Sequence, residues 1–376
     1  MPSLTIRREI VLLFALLLIA GYFAVVSPHF LSARNLSLLL TELAITGTLA
    51  LGMLLVLLPG HIDLSAGSGV GLIGGISAVL VTNHHWPAPI ALLAGFAVAI
   101  ALWWGMGSLI VLARSPAFII TLGGLLVFKG LFWLVIESHT VPVVSGGGTN
   151  LYSQITTFYL TPFAGLMMAG IIMATVALLA VLARRDRHRY GLPVASGELT
   201  FLQLFLCAQI VFLFVLVLNQ SRGIPFTVLI LAGVAGIVWV LTRHSVWGRY
   251  LYATGGNEEA AVISGVPVAR TTITAFVLMG GIVALTGFMQ TAYGGASTTT
   301  VGDLMELDAV AACVIGGVSL RGGRGTVPGV LCGALIMTCL INGMTLLAVQ
   351  PELKFIARGT VLILAVWLDT RISRPG

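Results

Sequence analysis

Long apolar runs separated by short polar loops dominate this sequence. Of its 376 residues 58% are hydrophobic and only 9% are charged, and the mean hydropathy is +1.07. A soluble domain carries about 25% charged residues, so this chain has too few charges to cover a surface that faces water. Because a membrane crossing needs about 20 apolar residues, we predict an all-α polytopic membrane bundle of about 10–12 transmembrane helices, in one domain over 1–376. The runs are 10–26, 37–58, 66–82, 88–113, 116–136, 161–183, 199–218, 224–241, 272–290, 307–318, 327–349 and 355–368.

Two of these runs, 66–82 and 307–318, are short or rich in glycine. Such segments are typical of broken or re-entrant helices, and the sequence leaves open whether either one crosses the membrane completely. Each contains an Ile-Gly-Gly motif, at Ile73 and at Ile315, that follows an acidic residue. In an alternating topology the two copies run in opposite directions, which predicts the inverted repeat of a transporter.

Positive charges fall mainly on one side of the predicted bundle. With the N-terminus inside, alternating spans place most of the 19 Lys and Arg residues in inside loops, as the positive-inside rule requires. This distribution predicts cytoplasmic N- and C-termini. The net charge of +6 comes from the same short clusters, so it indicates orientation in a lipid bilayer and no nucleic-acid partner.

The longest inside connection, 242–271, carries the signature of a short helix. Asn257 is a suitable N-cap, and Glu258 with Glu259 would lie at the positive end of the helix dipole. Gly265 and Pro267 end the pattern about two turns later. Isolated helices of this length are marginal in water, so we expect this one to lie against a surface. That surface is either a partner or the membrane ends of the chain itself.

Within this connection the pattern Glu-Ala-Ala, three residues, then Gly resembles the coupling loop of ABC-type importer permeases. The pattern comprises Glu259, Ala260, Ala261 and Gly265. Segments 61–68 (HIDLSAGS), 252–261 (YATGGNEEAA) and 314–325 are similar to one branch, the sugar permeases of the ribose, xylose and arabinose type. The likeness extends from 31 to 369. It is nearest to D-xylose permease subunits, because 184–243 resembles an extra helix-pair insertion that they carry.

The resemblance implies a function and a set of partners. It implies a permease subunit in the bacterial inner membrane that translocates a monosaccharide, which is D-xylose by the nearest likeness, with ribose or another sugar as the alternative. A periplasmic binding protein would deliver the sugar, and the outside loop 137–160 is either its docking surface or a linker. Separate ATPase subunits would hold the ATP and Mg²⁺, and the permease would form a homodimer. The residues that the resemblance assigns to ATPase coupling are Asn257, Glu258, Glu259, Ala260, Ala261 and Gly265.

The sequence has no phosphate-binding Gly-x-x-x-x-Gly-Lys motif and no hydrolase motif. We therefore expect this chain to bind no nucleotide, cofactor or metal and to have no enzymatic activity of its own.

Polar residues inside the spans are candidates for the translocation path, because buried polar groups in lipid are costly. We single out Asp63, Gln290, Asp308 and Asn342. Each has a structural alternative, since Gln290 and Asn342 can bond to a neighbouring helix and the two aspartates can cap broken helices. An ion-coupled carrier that needs no ATPase is the alternative function, and it would rely on Asp63 or Asp308.

Overall fold

The computed structural model describes residues 2–144, 148–194 and 196–372, and within these ranges the chain is almost entirely helical. Helices are expected in lipid because each one satisfies its own backbone hydrogen bonds. Eight of the described helices are long and apolar enough to cross a membrane, which confirms the predicted bundle. The helices are α1 (Pro2–Val26), α2 (Ala33–Leu57), α3 (Ala66–Thr82), α4 (Ala88–Ala113), α5 (Ala117–Val135), α6 (Leu151–Thr157), α7 (Pro162–Arg189), α8 (Gly197–Asn219), α9 (Phe226–His244), α10 (Val246–Gly256), α11 (Glu258–Ile263), α12 (Val268–Gly294), α13 (Met305–Ile315), α14 (Val327–Leu346) and α15 (Pro351–Ile372).

The centre of the bundle is the pair α2 and α12, which pack against each other and bury most of their length. Each of the two also packs on helices from the other end of the chain. Helix α12 contacts α3 and α4, and α2 contacts α13 and α14. The pairs α3–α5 and α13–α15 complete a reciprocal pattern between α2–α5 and α12–α15, which supports the predicted inverted repeat.

The two Ile-Gly-Gly motifs do not occupy corresponding places in that repeat. Helix α3 runs without a break through Gly74 and Gly75, whereas α13 ends at Gly316, and Gly317 adopts a positive φ of 94°. The prediction that glycines interrupt both helices at matching points is therefore wrong for α3. Gly74 instead allows close packing, since a side chain there would overlap the Thr291 hydroxyl.

The weak runs 66–82 and 307–318 form α3 and α13. With 11 residues α13 is about 16 Å long, half of a bilayer core of about 30 Å. The connection that follows it continues to the far end of α2, where the Gly323 N–H donates to the Leu58 carbonyl at 2.9 Å. A half-helix and a turn thus complete one crossing together, so α13 alone does not cross the membrane.

The first turns of α3 and α13 meet inside the bundle. Gly67 lies so close to Glu306 and to the Gly302 carbonyl that any side chain at this position would overlap both. The two runs that were predicted to be broken or re-entrant thus have the N-terminal ends of their helices together at this point. This arrangement resembles the discontinuous helices of secondary transporters, whose N-terminal dipoles point toward a shared site.

Segment 184–243 contains the end of α7, all of α8 and most of α9. Helices α7 and α8 pack on each other and leave most of their apolar side chains exposed, as helices that face lipid do. Helix α9 instead packs on α2 and buries Leu231, Val234 and Val238. The peripheral pair is therefore α7 with α8, and the insertion itself remains a prediction.

The loop 137–160, which the sequence predicts to lie outside, is anchored to the bundle. Its strand β1 (Val141–Pro142) pairs antiparallel with β2 (Ala296–Ser297), which follows α12. Tyr152 is fully buried, and its hydroxyl donates to the Gly74 carbonyl at 2.9 Å. These anchors argue against a simple linker, while residues 145–147 of the predicted docking loop lie outside the described residues.

Candidate coupling surface and transport groove

The predicted short helix in 242–271 is present as α11, with both of its predicted ends. The side chain of Asn257 accepts a hydrogen bond from the Ala260 N–H at 2.9 Å, as an N-cap does. At the other end Gly265 adopts a φ of +80°, and the Val266 N–H donates to the Ala261 carbonyl at 3.0 Å. This is the Schellman arrangement that glycine favours. The sequence did not indicate α10, the additional helix that precedes Asn257.

Helix α11 makes little contact with the rest of the chain. Of its side chains only Ala261 is buried. Val262 and Ile263 are 57% and 87% exposed, although they are apolar and lie in a connection between membrane helices. Exposed apolar side chains on a marginal two-turn helix are typical of a surface that a partner or the membrane interface covers.

Helix α10 connects α11 to the core of the bundle. Its residue Gly255 lies against the Leu58 carbonyl and the backbone of the turn at Gly322 and Gly323, with no room for a side chain. The hydroxyl of Tyr252 donates to the Gly325 carbonyl at 2.8 Å. Movement of α10 would therefore act directly on the end of α2 and on the turn between α13 and α14.

A groove of about 410 Å³ lies between α11 and the connection 58–65, and its lining includes His61, Glu258 and Arg321. His61 Nε2 is 3.3 Å from the Thr272 hydroxyl on α12. Burial lowers the pKa of His61 below its ordinary value, and the carboxylate of Glu258 opposes this shift. The imidazole is therefore neutral at pH 7 and forms part of the packing beneath α11.

Asp63 is completely buried in the connection that precedes α3, two residues before its N-cap Ser65. Its Oδ2 accepts a hydrogen bond from Trp103 Nε1 at 2.7 Å, and its Oδ1 accepts from the Ser65 N–H and hydroxyl at 2.9 and 2.6 Å. All three donors come from the chain itself, so the carboxylate is held in place between the connection 58–65 and α4. This geometry favours a structural role over a role in the translocation path. Asp63 does not cap α3, because none of its hydrogen bonds comes from an N–H group in the first turn of that helix.

The other three candidates lie around a second groove of about 230 Å³ between α2, α12, α13, α14 and α15, which we name the transport groove after its candidate role. Gln290 and Asp308 line it, and Asp308 Oδ2 is 3.4 Å from an Arg358 guanidinium nitrogen. Asn342 is buried behind it, where its Nδ2 donates to Glu42 Oε2 at 3.1 Å. The structure therefore brings three of the four predicted path residues together and leaves Asp63 apart.

Glu42 is the member of this groove that the sequence reasoning missed. Its Oε1 accepts a hydrogen bond from the Tyr293 hydroxyl at 3.0 Å, in addition to the bond from Asn342. A second amide, Asn35 Nδ2, donates to Asn342 Oδ1 at 2.9 Å. A carboxylate inside the apolar run 37–58 was itself a signal, because charged residues within membrane spans are rare and usually functional.

Comparison with known proteins identifies the family of this chain. The family described as branched-chain amino acid transport system / permease component matches residues 35–366. The xylose transport system permease protein XylH of Haemophilus influenzae is 40% identical over 361 residues, which are 96% of this chain and 95% of that protein. XylH of Escherichia coli K12 is 37% identical over 92% of this chain and 87% of its own length. The ribose import permease protein RbsC of Bacillus subtilis is 32% identical over 96% of this chain and 91% of its own length. No solved structure is significantly similar.

Proposed function

The chain belongs to this family of transport permease components, and we propose that it is the membrane subunit of an ABC importer for D-xylose. Two of the relatives compared are named for xylose transport, and both are more similar to this chain than the relative named for ribose import. The match covers nearly the whole chain, so the likeness extends beyond the coupling loop. Ribose is the alternative sugar to be tested.

The observation that carries this proposal is the exposed helix α11. A secondary carrier has no use for an apolar surface on a short helix in a connection between its spans, whereas an ATPase-driven permease needs such a surface to receive movement from its ATPase. We assign Asn257 and Gly265 to the two ends of this helix, and Glu258, Glu259 and Ala260 to its exposed face. Ala261 would fix the helix to the bundle. ATP and Mg²⁺ would be bound by the partner ATPase.

The ion-coupled alternative has less support. Asp63 is completely buried and already accepts three hydrogen bonds from Trp103 and Ser65, and Asp308 pairs with Arg358. An ion-binding residue needs a coordination site that a cation can enter and leave. Uptake by this chain alone in vesicles with a proton or sodium gradient would overturn the ABC proposal.

A second copy of the chain is the partner that we propose for the open side of the transport groove. Carboxyl and guanidinium groups in contact with lipid are costly, and Asp308 and Arg358 line an open groove at the height of the membrane helices. In a homodimer two such grooves would border a shared path. We further propose that both termini are cytoplasmic and that a periplasmic sugar-binding protein docks on the opposite side, near the anchored loop 137–160.

The test is xylose uptake by the permease reconstituted with its ATPase and sugar-binding protein. Glu259→Ala and Gly265→Val should abolish uptake without preventing membrane insertion, because they change the exposed face and the C-terminal stop of α11. Glu198→Ala is the matched control, since Glu198 is also an exposed acid in the first turn of a helix. Normal uptake by the Glu259 and Gly265 variants would contradict the proposal, and faster import of ribose than of xylose would change the sugar.

A further inference from the structure

The transport groove contains a buried hydroxyl that has no partner. Thr338 on α14 is only 2% exposed, and its Oγ1 makes no hydrogen bond among the described residues. The residue lines the groove together with Gln290 and Tyr293. An unsatisfied buried hydroxyl is unfavourable, and in a functional groove it indicates a group that a ligand satisfies.

The other polar groups of the groove are arranged to offer both donors and acceptors. Glu42 is held by Tyr293 and Asn342, one on each carboxylate oxygen, and a carboxylate has acceptor capacity left for further donors. The side chain of Gln290 makes no hydrogen bond within the described part of the chain, so its amide group offers one acceptor and two donors. Asp308 and Arg358 line the same space as an ion pair.

The position of these groups along their helices shows how far the groove extends into the bundle. Glu42 lies about 14 Å along α2 from its first residue, and Thr338 lies about 12 Å before the last residue of α14. The hydrogen bonds of Glu42 to Tyr293 and Asn342 show that the start of α2 and the ends of α12 and α14 share one side of the bundle. The groove thus reaches from that side toward the middle of a core of about 30 Å.

We propose that this groove is a binding site for the hydroxyl groups of a neutral monosaccharide during translocation, with Thr338, Gln290 and Glu42 as its contacts. The proposal rests on the proposed function as a sugar importer and names where the permease itself holds the sugar. Each sugar hydroxyl both donates and accepts, which matches a groove with an unpaired hydroxyl, a free amide and a carboxylate. An apolar amino-acid side chain would leave Thr338 and Gln290 unsatisfied. Three carboxyl groups line this groove beside one guanidinium, and their negative charge disfavours an acidic sugar.

The experiment uses the complete complex of permease, ATPase and sugar-binding protein in liposomes, and measures xylose uptake and ATP hydrolysis separately. Thr338→Val combined with Gln290→Ala should lower uptake by about tenfold, because two hydrogen bonds to the sugar are lost. Stimulation of ATP hydrolysis by the loaded binding protein should stay within about twofold, since the coupling helix is untouched. Thr338→Ser alone should keep uptake near that of the unmodified complex.

Thr48→Val is the matched control, because Thr48 on α2 is also buried with an unpartnered hydroxyl but does not line the groove. Normal uptake with Thr48→Val and reduced uptake with the groove variants would support the proposed sugar-binding site. Equal loss in Thr48→Val, or wild-type uptake by the groove variants, would overturn it and leave the proposed function intact. No xylose uptake by the unmodified complex would instead overturn the proposed function, and the proposed sugar-binding site would fall with it.

Discussion

Gly255, in the last turn of α10, lies directly against Leu58 at the end of α2, where any side chain would overlap the Leu58 carbonyl oxygen. The same carbonyl accepts the Gly323 N–H at 2.9 Å. Three segments that are far apart in sequence therefore meet at one backbone contact. This contact joins α10, and through it α11, to the connections that precede α3 and follow α13.

Substitution of Gly255 should disrupt this contact. Gly255→Ala places a methyl group where the Leu58 carbonyl lies, so α10 has to move away, and we expect at least a tenfold loss of ATP-driven uptake. The neighbouring Gly256 has open space at the position of a Cβ, so Gly256→Ala is the control and should transport normally. Uptake by both variants is measured after correction for the amount of inserted permease. Equal activity of the two variants would mean that the contact does not transmit movement.

The bond between Trp103 and Asp63 makes a separate prediction about stability. Trp103→Phe removes the Nε1 donor that reaches Asp63 Oδ2 at 2.7 Å and leaves a buried carboxylate oxygen unsatisfied. The free energy of unfolding should fall by about 1–3 kcal/mol. Trp104→Phe is the control, because Trp104 is 59% exposed and a surface change of this kind costs at most about 0.5 kcal/mol. Denaturation of the purified variants in detergent measures the difference, and equal stability of the two would contradict this role for Asp63.

The sequence was sufficient to predict the parts of the fold that the lipid environment determines. Apolar runs have to become helices because backbone groups find no partners in a membrane, and the long runs did so with ends near the predicted ones. The local signals of Asn257 and Gly265 also sufficed for α11, since both caps involve neighbouring residues. Helix α10 was missed because its sequence has neither a long apolar run nor an N-cap followed by acidic residues.

The transport groove could be predicted only in part, because long-range packing creates it. Gln290, Asp308 and Asn342 stood out as polar residues in apolar runs, but their neighbourhood depends on which helices meet. The bonds of Glu42 join it to Tyr293 and Asn342, which lie 251 and 300 residues further along the chain. No local pattern distinguishes such a pairing from the bonds that hold Asp63 to Ser65 and Trp103.

The neutral imidazole of His61 predicts a pH dependence of stability. Burial lowers the pKa of His61, so the unfolded chain binds a proton more readily than the folded one below about pH 6.5. The contribution of the neutral imidazole is present above about pH 6.5 and is lost as the pH falls toward the folded-state pKa. His61→Gln should therefore lose less thermal stability than the unmodified protein between pH 7.5 and 5.5. His84→Gln, at an exposed position, is the control and should follow the unmodified protein.

The exposed end of α11 predicts the place of contact with the ATPase. Ile263 is 87% exposed on a helix that buries one side chain, so Ile263→Cys should form crosslinks to the ATPase subunit in the assembled complex. Val246→Cys is the control, because Val246 is 50% exposed at the start of α10 in the same connection. We expect a crosslink from position 263 whose yield changes when ATP is bound, and little or none from position 246. Copurification of the ATPase without a crosslink from position 263 would show that it docks elsewhere on the permease.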